Sequence, residues 1–228
     1  MTASAPALSR PAQHWRGVAA LTTDQVLCSG QLERLGVSAD LFPGLRETVR
    51  VTDSFRSERT VTFHALRPTT LHLLSGTQLM HLAGLAELRL ALGVEPGPHW
   101  QSVAHAVHVG GTPDGEWNGA RLEFDSGHYD VARMHAKLQA FTADGAQVYW
   151  GMTSALRVSR WAARYPNVTF LYVPWWHDVQ ERAQAAAGQV RGRAAAREAR
   201  AISRNTARAR QLAGSVPVGL KRPDGHGG

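Results

Sequence analysis

Three carboxylates and one lysine are the side chains of this sequence whose types and spacing can do chemistry. Thr112-Pro113-Asp114 places an acid at a turn, and Arg121-Leu122-Glu123-Phe124-Asp125 then alternates as a short strand. Glu123 and Asp125 are two apart and share one face of that strand, while Leu122 and Phe124 take the other. Asp114 can converge on the acidic face from the preceding turn. Carboxylates gathered in this way need a cation or a raised pKa to coexist, and an all-oxygen set suits Mg²⁺ or Mn²⁺. The plainer alternative is a pair of strand acids that face solvent on a sheet edge.

Lys137 adds to the pattern. It is the only lysine in residues 1–220, in a chain with 23 arginines and 2 lysines. A helix is predicted over 129–141, with Met134, Leu138 and Phe141 as its apolar stripe. Packed on the acidic strand, that helix would bring the ammonium over the carboxylates, to orient a water or steady a developing phosphoryl charge. Arg133, one turn back, can assist; a lysine that only snorkels at the surface is the alternative. The eleven histidines form no matched metal motif, although His105 and His108 share a spacing and His128 and His135 flank the same helix. Trp175-Trp176-His177 reads as a cap on the core, with base stacking as the alternative. The single cysteine, Cys28, excludes an intrachain disulfide and reads as a small buried hydrophobe.

The elements that must position these groups follow from periodicity. Residues 1–14 read as a loose arm. A helix is predicted from Thr22-Thr23-Asp24 to a stop at Gly36, and a second from Leu41 to Val49 despite Pro43 and Gly44. A hairpin follows, with Val49–Thr52 and Thr60–Ala65 as strands around a polar turn. Helix, helix, hairpin is the order of a winged helix-turn-helix. Leu71–Leu92 is a leucine-rich helical stretch that suits core packing or a homodimer seam. Pro96-Gly97-Pro98 breaks the pattern and separates a first domain, 15–95, from a second, 96–178. In the second, helical spacing over Trp100–Val109 precedes the acidic strand, then the Lys137 helix, a strand at 146–152, a helix at 154–164 and a strand at 168–174. The expected fold class is α/β (α+β overall): an N-terminal winged helix-turn-helix, a small α/β domain and a basic tail, 179–228.

The segment Thr112-Pro113-Asp114, Ala120 to Gly127 and Met134-His135-Ala136-Lys137-Leu138-Gln139-Ala140-Phe141 resembles the replication-relaxation family of plasmid and mobile-element proteins. The resemblance spans roughly 15–178. It implies a winged helix ahead of a nuclease-like core and a role in replication or maintenance of such elements. The same segment is similar to the PD-(D/E)xK nuclease core. That similarity implies Asp114 and Glu123 as Mg²⁺ or Mn²⁺ ligands, with Asp125 beside them. The motif lysine is expected two residues after Glu123, where Asp125 stands, so Lys137 on the next helix is its candidate replacement. Asp114, Glu123 and Lys137 are therefore the expected catalytic set. A core that has lost cleavage remains the other outcome.

Charge points to the partner. The chain has 25 basic and 18 acidic residues. Residues 180–228 hold ten of the basic and three of the acidic ones, and the preceding 179 residues balance at fifteen each. Arg193, Arg197, Arg200, Arg204 and Arg208 form one stripe on a predicted helix. A neutral body with a basic tail suits DNA. The expected DNA contacts are that stripe together with Arg46 and Arg50 near the recognition helix and Arg56 and Arg59 in the wing. No apolar run approaches the ~18–20 residues of a membrane span, and no signal-peptide core is present, so no membrane partner and a cytoplasmic location are expected. A DNA-binding protein, a Mg²⁺-dependent endonuclease and a non-enzymatic adaptor are the three function classes this pattern supports. If the tail anchors DNA, a chain ending near Asp178 binds duplex more weakly and with a shallower dependence of log affinity on log salt. An unchanged slope in a fluorescence-anisotropy titration would remove the tail from the interface.

Overall fold

A computed structural model describes residues 8–51, 58–103, 112–127 and 129–176 of the 228. All of these belong to one compact unit, Met1–Val179; the second unit, Gln180–Gly228, lies outside the described residues. So do Arg56, His105, His108, His128, His177 and the arginine stripe of the tail. The described chain is mixed α and β, with two sheets.

Helix α1 (Arg10–Asp24) starts inside the segment expected to be a loose arm. Ser9 caps it and Pro11 sits in its first turn, where a missing N–H costs nothing. Asp24 ends this helix rather than starting one. Strand β1 (Leu27–Cys28) and helix α2 (Ser29–Arg34) follow, and Gly36, at φ +69°, supplies the expected stop. The helix expected over 41–49 is not formed. Only a 3-10 turn at Ala39–Leu41 precedes Pro43, and Gly44–Arg50 is strand β2. Proline and glycine deprive this stretch of helix propensity, while pairing along all seven residues with β3 (Glu58–His64) satisfies its backbone. A hairpin is formed, but its first strand, expected over Val49–Thr52, runs instead over Gly44–Arg50, with Val49 opposite Arg59 and Arg50 opposite Glu58. The three strands are ordered β1-β3-β2.

The leucine-rich stretch divides at Ser75 into α3 (Pro68–Leu73) and α4 (Gly76–Ala91). Ser75 and Gln78 form a reciprocal capping box that fixes the start of α4. Leu79, Leu82, Leu85 and Leu88 are fully buried within the chain. These four leucines are therefore spent on the core rather than left for the homodimer expected through this stretch.

The larger sheet is ordered β4-β5-β6-β7-β8. Its strands are β4 (Trp100–Ser102), β5 (Gly115–Trp117), β6 (Ala120–Asp125), β7 (Val148–Met152) and β8 (Val168–Tyr172). Helices α5 (Val131–Thr142) and α6 (Ala155–Arg164) make the two crossovers of its parallel half, β6-β7-β8. Helical structure expected from Trp100 is absent at least to Ser102. These residues pair antiparallel with β5, placing Trp100 opposite Trp117. Strand β5 turns into β6 through Asn118-Gly119, both at positive φ, as a tight two-residue hairpin requires.

Helix α4 lies in the main core, which contains Phe63 of the small sheet and Leu122 and Phe124 of the large one. Helices α5 and α6 cover the opposite face of the large sheet, with Met134, Leu138, Phe141 and Trp161 around Trp150. Gly84 is the point of closest approach: a Cβ there would stand 2.3 Å from the buried ring of Phe124. Gly84→Ala should gain about 1 kcal/mol of helix propensity and lose more to overpacking, for a net destabilisation of about 1–2 kcal/mol in urea unfolding. A neutral or stabilising effect would mean that α4 has room to withdraw from β6.

Candidate functional site

Strand β6 buries two acids on the side covered by α5 and α6. Glu123 is 0% exposed and Asp125 is 2% exposed. Each acid takes a cation from a different crossover helix. Lys137, reaching from α5 and itself buried, bonds directly to Glu123 Oε1. The Tyr129 hydroxyl donates to the same oxygen at 2.9 Å and lies 3.1 Å from Lys137 Nζ. Arg157, from α6, donates to Asp125 Oδ2 at 2.7 Å, and the Gly127 N–H donates to Oδ1 at 2.7 Å.

Asp114 stands immediately before β5, where its N–H bonds to Leu122 O and its carbonyl accepts from Val103 N, both at 2.9 Å. Its carboxylate reaches over β6: the backbone N–H of Phe124 donates to Oδ2 at 2.9 Å. His81, from α4, places Nε2 2.8 Å from the same oxygen. The imidazole also stands edge-on to the ring of Phe124.

Two carboxylates thus share one buried site with one lysine. Burial and the negative charge of Asp114 push the Glu123 carboxyl up to about 8, against the opposing pull of Lys137 and the Tyr129 hydrogen bond. Burial pushes Asp114 up as well, but His81, Lys137 and the Phe124 N–H together bring it below the usual aspartate range. The Tyr129 hydroxyl is driven far above its ordinary value by burial and by both carboxylates, so it remains a donor. Glu123 Oε2 is buried and takes no hydrogen bond among the described residues. A buried carboxyl oxygen without a partner is costly, and a cation would complement it by favouring the ionised form.

The expected trio of Asp114, Glu123 and Lys137 is brought together. Asp125, expected beside them as a metal ligand, is instead bonded at one oxygen by Arg157 and at the other by the Gly127 N–H. Among the described residues, no three His, Cys, Asp or Glu side chains are arranged around a common metal position, so a cation here would rest on two carboxylates. Mg²⁺ is held in this way in many sites, completed by waters and substrate phosphate.

Among the described residues, the expected DNA contacts Arg46, Arg50 and Arg59 lie on strands rather than on a helix. Arg46 and Arg50 are exposed on one face of β2, and Arg59, on β3 opposite Val49, belongs to the other face. Trp175 and Trp176 are buried; Trp175 stacks on Phe63 and accepts a bond from Cys28 Sγ at its carbonyl, so both tryptophans serve the core. The Cys28 thiol is pushed up to about 12, chiefly by burial.

Three members of the site escaped the pattern search: His81, Tyr129 and Arg157. His81 had a usable signal, because α4 is apolar on nearly every side, and a histidine within such a helix must find a buried partner. Comparison with known protein families, with curated proteins and with solved structures finds no match to this chain.

The raised carboxyl of Glu123 has a definite sign. Its folded pKa, about 8, lies above the unfolded 4.5, so its contribution to stability is full below about pH 4.5 and is lost as pH rises through about 8. Glu123→Gln should therefore flatten the fall in unfolding free energy over this window by up to about 1.4 kcal/mol per pH unit. Equal slopes for the two proteins in urea titrations at several pH values would contradict the assignment.

Proposed function

We propose that this chain is a DNA-binding protein whose α/β half is a divalent-cation-dependent phosphodiester-cleaving core. The observation that carries the proposal is the meeting of Asp114, Glu123 and Lys137 from three different elements, with one glutamate oxygen left without a partner. The order of helix α4, strands β4, β5 and β6, helix α5 and strand β7 supports the resemblance to a nuclease core. The acids stand just before the middle strand of its antiparallel part and on the next strand, where the resemblance asks for them.

Asp114 and Glu123 would hold Mg²⁺ or Mn²⁺. The bound ion supplies polarisation of the scissile phosphate and a more acidic water. The rest is the work of this chain. His81 and the Phe124 N–H keep Asp114 ionised and fixed in direction. Tyr129 ties Glu123 and Lys137 into one cluster of hydrogen bonds. Lys137, freed from full duty toward Glu123 once a second cation is present, faces the negative charge that builds on the phosphoryl oxygens and orients the attacking water.

The amino-terminal half supports DNA binding of a particular kind. The order α1, β1, α2, 3-10 turn, β2, β3 follows a winged helix in which the recognition helix has shrunk to one turn. Contact would then come from the β2–β3 hairpin, through Arg46 and Arg50, rather than from a helix in the major groove. A part in plasmid or mobile-element maintenance rests on the resemblance of the motif segment. A second reading, a DNA-binding core that no longer cuts, draws on the direct Lys137–Glu123 bond and on Asp125 in the motif lysine's place.

Mg²⁺ or Mn²⁺ at ~100 times its dissociation constant should stabilise the protein by about 2.7 kcal/mol and raise Tm by roughly 5–10 °C. Asp114→Asn should abolish the shift and leave DNA binding equal or stronger. Lys137→Met should retain the metal shift and lose nicking of supercoiled plasmid. A metal shift without nicking in the wild type would establish the non-cutting reading, and no metal shift at all would refute the metal site.

A further inference from the structure

Helices α5 and α6 carry five basic side chains, Arg133, Lys137, Arg157, Arg160 and Arg164, and no acid. They belong to a body, residues 1–179, in which fifteen basic and fifteen acidic residues balance. Two of the five are committed inward: Lys137 to Glu123 and Arg157 to Asp125. Arg133 lies over the Tyr129 ring, 4.5 Å from its centre. Arg160 and Arg164 are exposed and make no ion pair among the described residues.

Arg157, Arg160 and Arg164 stand three and four residues apart, so they line one face of α6. That face borders a groove of about 470 Å³ whose other wall is Tyr129, Asp130 and Val131 at the start of α5. Tyr129 is shared: it lines the groove, and its hydroxyl donates to Glu123. One side chain, Tyr129, thus stands between the groove and the buried Glu123. Asp130 is the one acid on its walls, and its side chain is occupied in capping α5 at the Arg133 N–H.

From this geometry we infer that the groove between α5 and α6 is the channel for the DNA strand to be cleaved, with Arg160 and Arg164 gripping consecutive backbone phosphates. The inference rests on the proposed function and names the surface through which the substrate reaches that site. Charge complementarity selects the occupant. A phosphodiester backbone is attracted by the exposed guanidiniums of this face. Two guanidiniums without an ion-pair partner among the described residues, beside Trp161 in the groove lining, suit a strand whose charge is regularly spaced.

The test uses the full chain and a short fluorescent duplex, with anisotropy followed across a salt series. Arg160→Gln/Arg164→Gln should weaken binding roughly tenfold at low salt and reduce the slope of log affinity on log salt by about 1.8, the loss of two phosphate contacts. The Mg²⁺-induced rise in Tm should stay as in the wild type, because neither arginine touches Asp114 or Glu123. Arg10→Gln/Arg67→Gln removes two exposed charges elsewhere and should change the slope less. An unchanged slope in the groove variant, with wild-type DNA binding and the metal shift intact, would overturn the channel and leave the proposed function standing. An equal loss in the control variant would also overturn it, as a general charge effect. Absence of DNA binding by the wild type would overturn the channel and the DNA-binding function together.

Discussion

A buried carboxylate needs a cation beside it, and this requirement ties the elements of the fold to one another. Five acids are buried among the described residues: Asp24, Glu87, Asp114, Glu123 and Asp125. Asp24 of α1 is held bidentately by Arg89 of α4 at 2.8 and 2.6 Å. Glu87 of α4 is paired with Arg34 of α2. Asp114 faces His81 of α4, Glu123 takes Lys137 of α5, and Asp125 takes Arg157 of α6. Removing one member of such a pair leaves an uncompensated charge and typically costs ~3–5 kcal/mol, so each pair constrains where its two elements sit. Helix α4 supplies a member to three of them. It is thereby locked to the amino-terminal helices on one side and to the acidic site on the other.

The site departs from the other pairs in one respect. At Asp24 a single acid meets a guanidinium that grips both of its oxygens. At Glu123 a second acid, Asp114, acts on the same carboxyl, the Lys137 ammonium bonds only one of its oxygens, and the other oxygen has no partner among the described residues. Burial first, and then the charge of Asp114, raise the Glu123 carboxyl more than Lys137 and Tyr129 lower it, which leaves a deficit of compensating charge at this site. That deficit is what a divalent ion would correct, and it connects the electrostatics of the fold to the chemistry proposed for it.

Much of the site was legible because its signals are local. Period-two alternation in Arg121–Asp125 gives the strand and the shared face of Glu123 and Asp125. The solitary lysine in an arginine-rich chain marks Lys137, and the stripe of Met134, Leu138 and Phe141 gives the helix that carries it. What was illegible depends on tertiary partners. The alternation that puts Asp125 beside Glu123 cannot reveal that Arg157, thirty-two residues on, claims it. Helical spacing in Leu41–Val49 and Trp100–Val109 competes with strand pairing, and in β2 and β4 the partner strand wins. Other misses were signals underused: Pro11 in a first turn starts a helix, and Asn118-Gly119 between short apolar runs announces a hairpin.

The chemistry proposed for this site requires a cation between Asp114 and Glu123. Anomalous diffraction from crystals of the full chain grown with Mn²⁺ addresses this directly. The predicted result is a peak about 2.0–2.3 Å from Glu123 Oε2 and from a carboxylate oxygen of Asp114, with the Lys137 ammonium drawn away from its direct bond to Glu123. Crystals saturated with Mn²⁺ that show no peak there, and Lys137 still bonded to Glu123, would contradict it.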